Sequence, residues 1–205
     1  MSVRRLDPDQ PSHFEFTPEN LAWAREQIRK YPEGRQQAAV LPILWRAQEQ
    51  HDRWLPEPAI RSVADLLEMP YIRVYEIATF YSMFNLSPVG RYYVQLCGTT
   101  PCMLRGAEDL KALLEQEVGH EGEVSPDGVF SWVEVECLGA CVNAPMAQIN
   151  DDYYEDLTPE NFKALLDSLR EGRDVKPGSQ IARQFSAPAS GATTLLSEAK
   201  TKNQT

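Results

Sequence analysis

Apolar residues in the first 84 positions recur three or four residues apart, which is the spacing of helices that bury one face. The pattern predicts four helices, at residues 17–31, 35–54, 59–67 and 70–81. Thr17 and Pro18 begin the first helix as an N-cap and a first-turn proline. Pro42 lies inside the second and should either kink that helix or mark its true start. Short loops between four amphipathic helices predict a small helical bundle over residues 1–85.

Beyond Arg91 the pattern changes to short strands that alternate with helices. Strands are predicted at residues 92–96, 129–135 and 146–149, with Tyr153-Tyr154 as a continuation after a turn, and helices at 104–118 and 158–169. This order of elements indicates an α/β or α+β domain over residues 86–170. Residues 171–205 lose the apolar periodicity and are predicted to form a mobile tail or one that wraps around a partner subunit.

The chain carries a formal net charge of −10, and its acidic side chains concentrate in the second half. Residues 85–170 hold 15 acidic and 5 basic side chains. Nucleic acid is therefore not an expected partner, because phosphate binding needs a basic face. Residues 62–75 have the sequence pattern of a helix-turn-helix. Residues 61–81, however, contain only two arginines against three acidic residues. A metal-sensing transcription factor is for this reason the weaker hypothesis.

No stretch approaches the roughly 18 apolar residues that would indicate a membrane span. The first ten residues also lack the apolar segment of a secretory signal, so we expect a reducing compartment. In such a compartment paired cysteines are more often ligands or redox groups than structural disulfides.

The four cysteines of the chain form two close pairs, Cys97 with Cys102 and Cys137 with Cys141. Both pairs follow predicted strands, so both are expected in loops at the end of a sheet. A structural zinc ion is one interpretation, although its ligand pairs are usually spaced more closely. A redox disulfide is another, although the chain has no C-x-x-C motif. An iron–sulfur cluster fits best, because two separated pairs suit a binuclear cluster with one pair on each iron.

Longer motifs around these cysteines resemble a known family. They are Cys97-Gly-Thr-Thr-Pro-Cys102, Glu134-Val-Glu-Cys137-Leu-Gly-Ala-Cys141-Val-Asn-Ala-Pro-Met146 and, in the helical part, Ala78-Thr-Phe-Tyr81. Together they are similar to the E subunit of bacterial NADH:quinone oxidoreductase, the respiratory complex I. The resemblance covers roughly residues 16–169. It implies an α+β fold, in which an N-terminal helical bundle is followed by a thioredoxin-like [2Fe–2S] ferredoxin domain. It also implies a cis peptide bond before Pro145.

The same resemblance implies the cofactor and its partners. Cys97, Cys102, Cys137 and Cys141 would ligate one low-potential [2Fe–2S] cluster, and no residue of this chain would be catalytic. FMN and NADH are expected on a partner flavoprotein subunit, in keeping with the absence of G-x-G-x-x-G and Walker A motifs here. A large iron–sulfur subunit of the peripheral arm is the second expected partner. The expected location is the cytoplasmic side of the bacterial inner membrane, or the matrix side in a mitochondrion.

Two alternatives share the cysteine motifs. The equivalent small subunit of an NAD-linked formate dehydrogenase or hydrogenase would carry the same ferredoxin domain. A structural four-thiolate zinc module would use the same four side chains without any electron transfer.

Overall fold

The computed structural model describes residues 4–188, 190–191 and 194, and the chain divides into two compact units. The first unit ends at Val89 and the second begins at Gly90, whereas the sequence patterns predict the boundary after residue 85. Each unit encloses its own apolar core. Within the described residues, no helix is both long and apolar enough to cross a membrane.

The first unit consists of four helices: α1 (Pro18–Arg29), α2 (Val40–Gln50), α3 (Glu57–Leu67) and α4 (Tyr71–Phe80). Thr17 caps α1 as predicted, because its hydroxyl accepts a hydrogen bond from the amide of Asn20 at 3.2 Å. Pro42 lies in the first turn of α2, after a short 3₁₀ turn, so it marks the start of that helix and does not kink it. The core of the unit contains fully buried side chains from α2 and α3 such as Leu44 and Ile60.

Helices α3 and α4 are the two helices of the helix-turn-helix hypothesis. Both of the arginines between residues 61 and 81 are ion-paired on their own helix, Arg61 with Glu57 and Arg73 with Glu76 at 2.9 Å. Neither guanidinium is therefore left without a carboxylate, which weakens the case for phosphate binding by this segment.

The second unit is a mixed five-stranded sheet with helices, and it confirms the predicted α+β class. Its elements in chain order are β1 (Tyr92–Cys97), α5 (Thr100–Leu104), α6 (Ala107–Glu117), β2 (Phe130–Val135), β3 (Ala147–Ile149), β4 (Asp152–Glu155), α7 (Pro159–Arg170) and β5 (Gly178–Ser179). The strand order is β2-β1-β3-β4-β5. The β1–β2 and β4–β5 pairs are parallel, and the two pairs that involve β3 are antiparallel.

The core of this unit lies between the sheet and the helices α6 and α7. Alternate residues of β1 and β2 contribute fully buried side chains, among them Val94, Phe130 and Trp132. Leu114 of α6 and Phe162 of α7 belong to the same cluster. Strand residues that point to one face of the sheet and apolar residues of α6 and α7 thus form one continuous core.

Two parts of the second unit differ from the sequence-based expectation. The helix predicted at residues 104–118 is α6, which begins later than predicted because Gly106, with a φ of +107° that an L side chain would not favour, separates it from α5, a short helix that the sequence did not predict. The tail predicted from residue 171 is also partly ordered, since β5 pairs with β4. The sequence did not predict β5 because a strand of two residues is too short to show hydrophobic periodicity, and its position depends on the rest of the sheet. Residues 189, 192–193 and 195–205 of the predicted tail lie outside the described residues.

Candidate metal centre

The two cysteine pairs lie at the carboxyl ends of two neighbouring strands. Strands β1 and β2 run parallel and in register, with the Cα of Cys97 opposite that of Val135. Cys97 is the last residue of β1, and Cys137 follows β2 after one residue. Because parallel neighbours end at the same edge of a sheet, the fold brings both pairs to one place, as the sequence predicts.

The surroundings of each pair differ from the predicted loops in one respect. Cys102 does not lie in a loop but within α5, the short helix that starts at Thr100 with Pro101 in its first turn. Cys141 opens a 3₁₀ turn that ends at Asn143. The proline was visible in the sequence as a helix-start signal, but five residues are too few to show helical periodicity.

The sulfurs form an inner pair and an outer pair. Cys97 and Cys102 are both buried. Cys137 and Cys141 are exposed, and their Sγ atoms lie 3.4 Å apart. The hydroxyl of Thr99 lies 3.3 Å from Cys97 Sγ and also favours a lower pKa of Cys137, so it acts on both pairs.

Backbone amides point at these sulfurs. The amide of Gly139 donates to Cys137 Sγ at 3.4 Å. Backbone interactions with Thr99 and Leu138 favour a lower pKa of Cys97, and a backbone interaction with Met146 acts in the same direction on Cys102. Amide donors of this kind stabilise the negative charge on thiolate sulfur, as an anionic cluster requires.

Each pair contains one thiol that ionises easily and one that does not. Burial opposes ionisation of Cys97, but hydrogen bonds from Thr99 and Leu138 outweigh it and lower the pKa of that thiol. Burial, followed by the hydrogen bond with Cys97, raises the pKa of Cys102 to about 12. In the outer pair, the amide of Gly139 lowers the pKa of Cys137, and the hydrogen bond with Cys137 raises the pKa of Cys141. Binding of a metal to all four sulfurs would therefore release protons.

The arrangement of the sulfurs separates two interpretations of the site. A structural zinc ion needs its four thiolates around one point. The sulfurs instead form two pairs, and a [2Fe–2S] cluster takes two thiolates on each iron. The four side chains thus fit a binuclear cluster better than a single ion.

The segment that carries the outer pair is held by residues that sequence reasoning does not identify. The hydroxyl of Tyr153 donates to the carbonyl of Leu138 at 2.8 Å. The guanidinium of Arg183 donates to the carbonyl of Val142 at 2.9 Å. Tyr153 was visible only as a strand residue, and Arg183 lies in the predicted tail. The peptide bond between Ala144 and Pro145 is cis, as the family resemblance predicts.

Comparison with known proteins gives the class of protein to which this fold and these cysteines belong. Residues 24–170 match the family model described as thioredoxin-like [2Fe-2S] ferredoxin. The chain belongs to this family. Membership confirms the predicted thioredoxin-like fold and the predicted [2Fe–2S] cofactor.

Two relatives of the chain carry the name of the E subunit of NADH-quinone oxidoreductase. The chain is 56% identical over 201 residues to the first of the E subunits of Rhizobium meliloti (strain 1021), an alignment that covers 95% of this chain and 73% of the relative. It is 54% identical over 160 residues to the E subunit of Rickettsia bellii (strain RML369-C), covering 78% of this chain and 96% of that protein. The resemblance that the cysteine motifs indicate is therefore confirmed.

A solved structure shares the fold at lower similarity. In the crystal structure of the NAD+-reducing [NiFe]-hydrogenase in the air-oxidized state, a chain matches with a TM-score of 0.56 and 22% identity. The match covers 63% of this chain and only 23% of the hydrogenase chain. At that identity the likeness shows a shared fold and nothing about hydrogenase activity.

Proposed function

We propose that this chain is the electron-transfer subunit of an NADH:quinone oxidoreductase, and that Cys97, Cys102, Cys137 and Cys141 ligate its single [2Fe–2S] cluster. The observation that carries the proposal is the position of the two cysteine pairs at the ends of the parallel strands β1 and β2. When bound, the cluster supplies one-electron chemistry at low potential. The chain belongs to an oxidoreductase complex but holds no complete active site.

The protein's own part is to bind the cluster, to shield it on one side and to expose it on the other. The inner pair, Cys97 and Cys102, belongs to a small apolar cluster with Ala107, Ala144 and Met146, which keeps water away from that side. The outer pair is open to solvent and supplies a short route to a partner. The protein thereby sets the position and the electrostatic environment of the cofactor, which carries the chemistry.

Apolar side chains next to the cysteines support contact with a partner subunit. Met103 and Leu104 follow Cys102 and are 44% and 75% exposed, and Val142 follows Cys141 and is 67% exposed. Large exposed apolar side chains beside a functional group are typical of a protein interface. We assign this surface to the flavoprotein subunit that holds FMN and NADH. The large iron–sulfur subunit of the peripheral arm is the second proposed partner.

The location and the potential follow from the same proposal. The complex would place the chain on the cytoplasmic side of the bacterial inner membrane, or on the matrix side in a mitochondrion. Residues 85–170 carry 15 acidic and 5 basic side chains, an excess of negative charge that favours the oxidised cluster. We expect a midpoint potential near that of plant-type ferredoxins, roughly −400 mV. A potential above zero would contradict this expectation.

The test is an optical and EPR spectrum of the full chain purified without oxygen, before and after dithionite, with iron and sulfide assays. We expect about two irons and two acid-labile sulfides per chain, with a rhombic S = ½ signal only after reduction. Cys141→Ser should lose the cluster or alter the signal strongly, whereas Val142→Ala, at the neighbouring exposed position, should retain both. A colourless chain that holds one zinc ion would refute the proposal.

Co-purification decides the host complex. We expect quinone reductase subunits to accompany the chain, because relatives that are 56% and 54% identical over the aligned residues carry that name. A formate dehydrogenase or hydrogenase catalyst in their place would assign the chain to the alternative complex.

A further inference from the structure

Residues 178–185 fold back onto the segment that carries the outer cysteine pair, and we call them the clasp. The clasp begins as β5, which pairs in parallel with β4. Beyond the strand, the amide of Gln180 donates to the carbonyl of Glu155 at 2.9 Å. These contacts fix the direction of the chain as it leaves the sheet and leads to Arg183.

Arg183 joins the clasp to two other parts of the domain. Its Nε and Nη2 atoms donate to the two carboxylate oxygens of Asp156, at 3.1 and 2.6 Å. Nη2 also donates to the carbonyl of Val142 at 2.9 Å. The side chains of Arg183 and Asp156 are only 9% and 10% exposed, so the two groups form a bidentate ion pair that is largely shielded from solvent. A planar guanidinium is needed to satisfy both acceptors at once.

The clasp makes a second contact one residue further along the same segment. The side-chain amide of Asn143 donates to the carbonyl of Phe185 at 2.8 Å and to the carboxylate of Glu155 at 2.6 Å. Asn143 is buried, and its own carbonyl accepts from the amide of Asp156 at 2.7 Å. Val142 and Asn143, the two residues after Cys141, are thus both tied to the clasp.

We propose that the clasp positions the outer cysteine pair, and that Arg183 is the positioning residue through which it acts. The outer pair needs such support because Cys137 and Cys141 are exposed, whereas Cys97 and Cys102 are themselves members of a buried apolar cluster. The inference rests on the four cysteines as ligands, as proposed above. It gives a role at the metal centre to a stretch that the sequence predicts to be a tail.

The experiment compares variants of the full chain, purified without oxygen and carrying its cluster. Arg183→Gln removes the charge and the bidentate contact, and Arg183→Lys keeps the charge alone. Arg173→Gln is the matched control, because Arg173 lies in the same stretch but pairs with Glu171 while more than half exposed. The first measurement is the rate at which visible absorbance disappears in excess iron chelator. The second is amide hydrogen exchange across residues 138–143, with α7 as the internal reference.

We expect Arg183→Gln to lose the cluster roughly 10- to 100-fold faster than the unaltered chain, as for other residues that support metal ligands. Amide exchange should rise in residues 138–143 and not in α7. Arg183→Lys should lose the cluster at a rate between those of Arg183→Gln and the unaltered chain. Arg173→Gln should stay within about twofold of the unaltered chain, because exposed ion pairs contribute little. If Arg183→Gln does not accumulate as a folded protein, Asp156→Asn, which removes only the counter-charge, should show the same confined increase in exchange.

Three results would overturn the inference. One is cluster loss from Arg183→Gln at the rate of the unaltered chain. Another is an equal rise of exchange in α7, which would indicate general destabilisation. The third is equally fast cluster loss from Leu165→Ala, a core variant remote from the clasp, when its thermal stability equals that of Arg183→Gln. An unaltered chain without iron would instead refute the proposed function itself, so the two failures can be told apart.

Discussion

Replacement of Gly90 by alanine tests how closely β1 must approach β2. Gly90 precedes β1, and its amide donates to the buried hydroxyl of Ser131 at 2.8 Å. A Cβ atom at this position would lie 2.5 Å from the Ser131 nitrogen and 2.7 Å from the Phe130 Cα. Carbon atoms in contact normally lie about 3.5–4.0 Å apart, so the two backbones would have to separate by about 1 Å.

Two effects of opposite sign compete at this position. Gly90 does not have a positive φ, so alanine fits its backbone conformation and would stabilise the fold by about 0.4–1 kcal/mol through the unfolded state. Overpacking against fixed atoms typically costs about 1–3 kcal/mol, and sometimes more. Here the obstacle is backbone within the β1–β2 ladder and cannot rotate away, so we expect a net loss of about 3 kcal/mol.

Amide hydrogen exchange of the full chain, with its cofactor, measures this loss in β1 and β2. A loss of about 3 kcal/mol corresponds to roughly a hundredfold faster exchange wherever opening of the sheet limits the rate. Gly122→Ala is the matched control, because Gly122 has a φ of +82° but open space around its Cβ position. Only backbone strain of about 1–2 kcal/mol applies there. If Gly90→Ala exchanges no faster than Gly122→Ala, close packing does not determine the β1–β2 distance and the reasoning is wrong.

Three further substitutions test contacts around the site and the core. Tyr153→Phe removes the hydrogen bond to the Leu138 carbonyl, and we expect a loss of about 1 kcal/mol, seen as faster amide exchange near Cys137 and faster cluster loss to a chelator. Trp132→Phe removes the bond from the indole nitrogen to the Gly119 carbonyl at 2.8 Å and leaves a cavity, so exchange in β2 should report a loss of about 2–3 kcal/mol. Thr158→Ala removes the N-cap of α7 and should cost about 1 kcal/mol, measured as a lower thermal midpoint.

Each of these results has a control within the chain. Tyr31→Phe, at an exposed tyrosine of the first unit, should leave cluster loss unchanged, so an equal effect of both tyrosine variants would contradict the assigned role of Tyr153. For Trp132, exchange in α1 should stay constant, since that helix belongs to the other unit. Thr158→Ser retains the capping hydroxyl and should restore the thermal midpoint, and its failure to do so would remove the cap as the cause.

Local signals in the sequence predicted the helix starts well. Thr17 and Thr158 each cap a helix through the amide three residues later. Such a cap can be predicted because it involves only residues close together in the sequence. Pro42 marks a helix start for the same local reason. The strands that lead to the two cysteine pairs were also predictable, since the apolar runs before Cys97 and Cys137 are evident.

Features that depend on distant contacts were not predictable. The bond from Arg183 to Val142 spans 41 residues, and nothing in the local sequence around Arg183 indicates it. The hydrogen bond from Tyr153 to Leu138 is likewise set by the way β4 lies beside the outer pair. The short helix α5 was missed because five residues cannot display a helical period, although Pro101 is an N-terminal signal.

The position of Arg183 in the chain also bears on the order of events during synthesis. Arg183 follows Val142 by 41 residues, so all four cysteines leave the ribosome before the clasp does. At typical translation rates of about 5–20 residues per second, this interval lasts about 2–8 s. During that time the outer pair exists without its clasp, and the cysteine segment is open to whatever delivers iron and sulfide. Completion of the chain then adds the contacts of Arg183 with Val142 and Asp156, so the proposed support of the outer pair is the last part of the site to be synthesised.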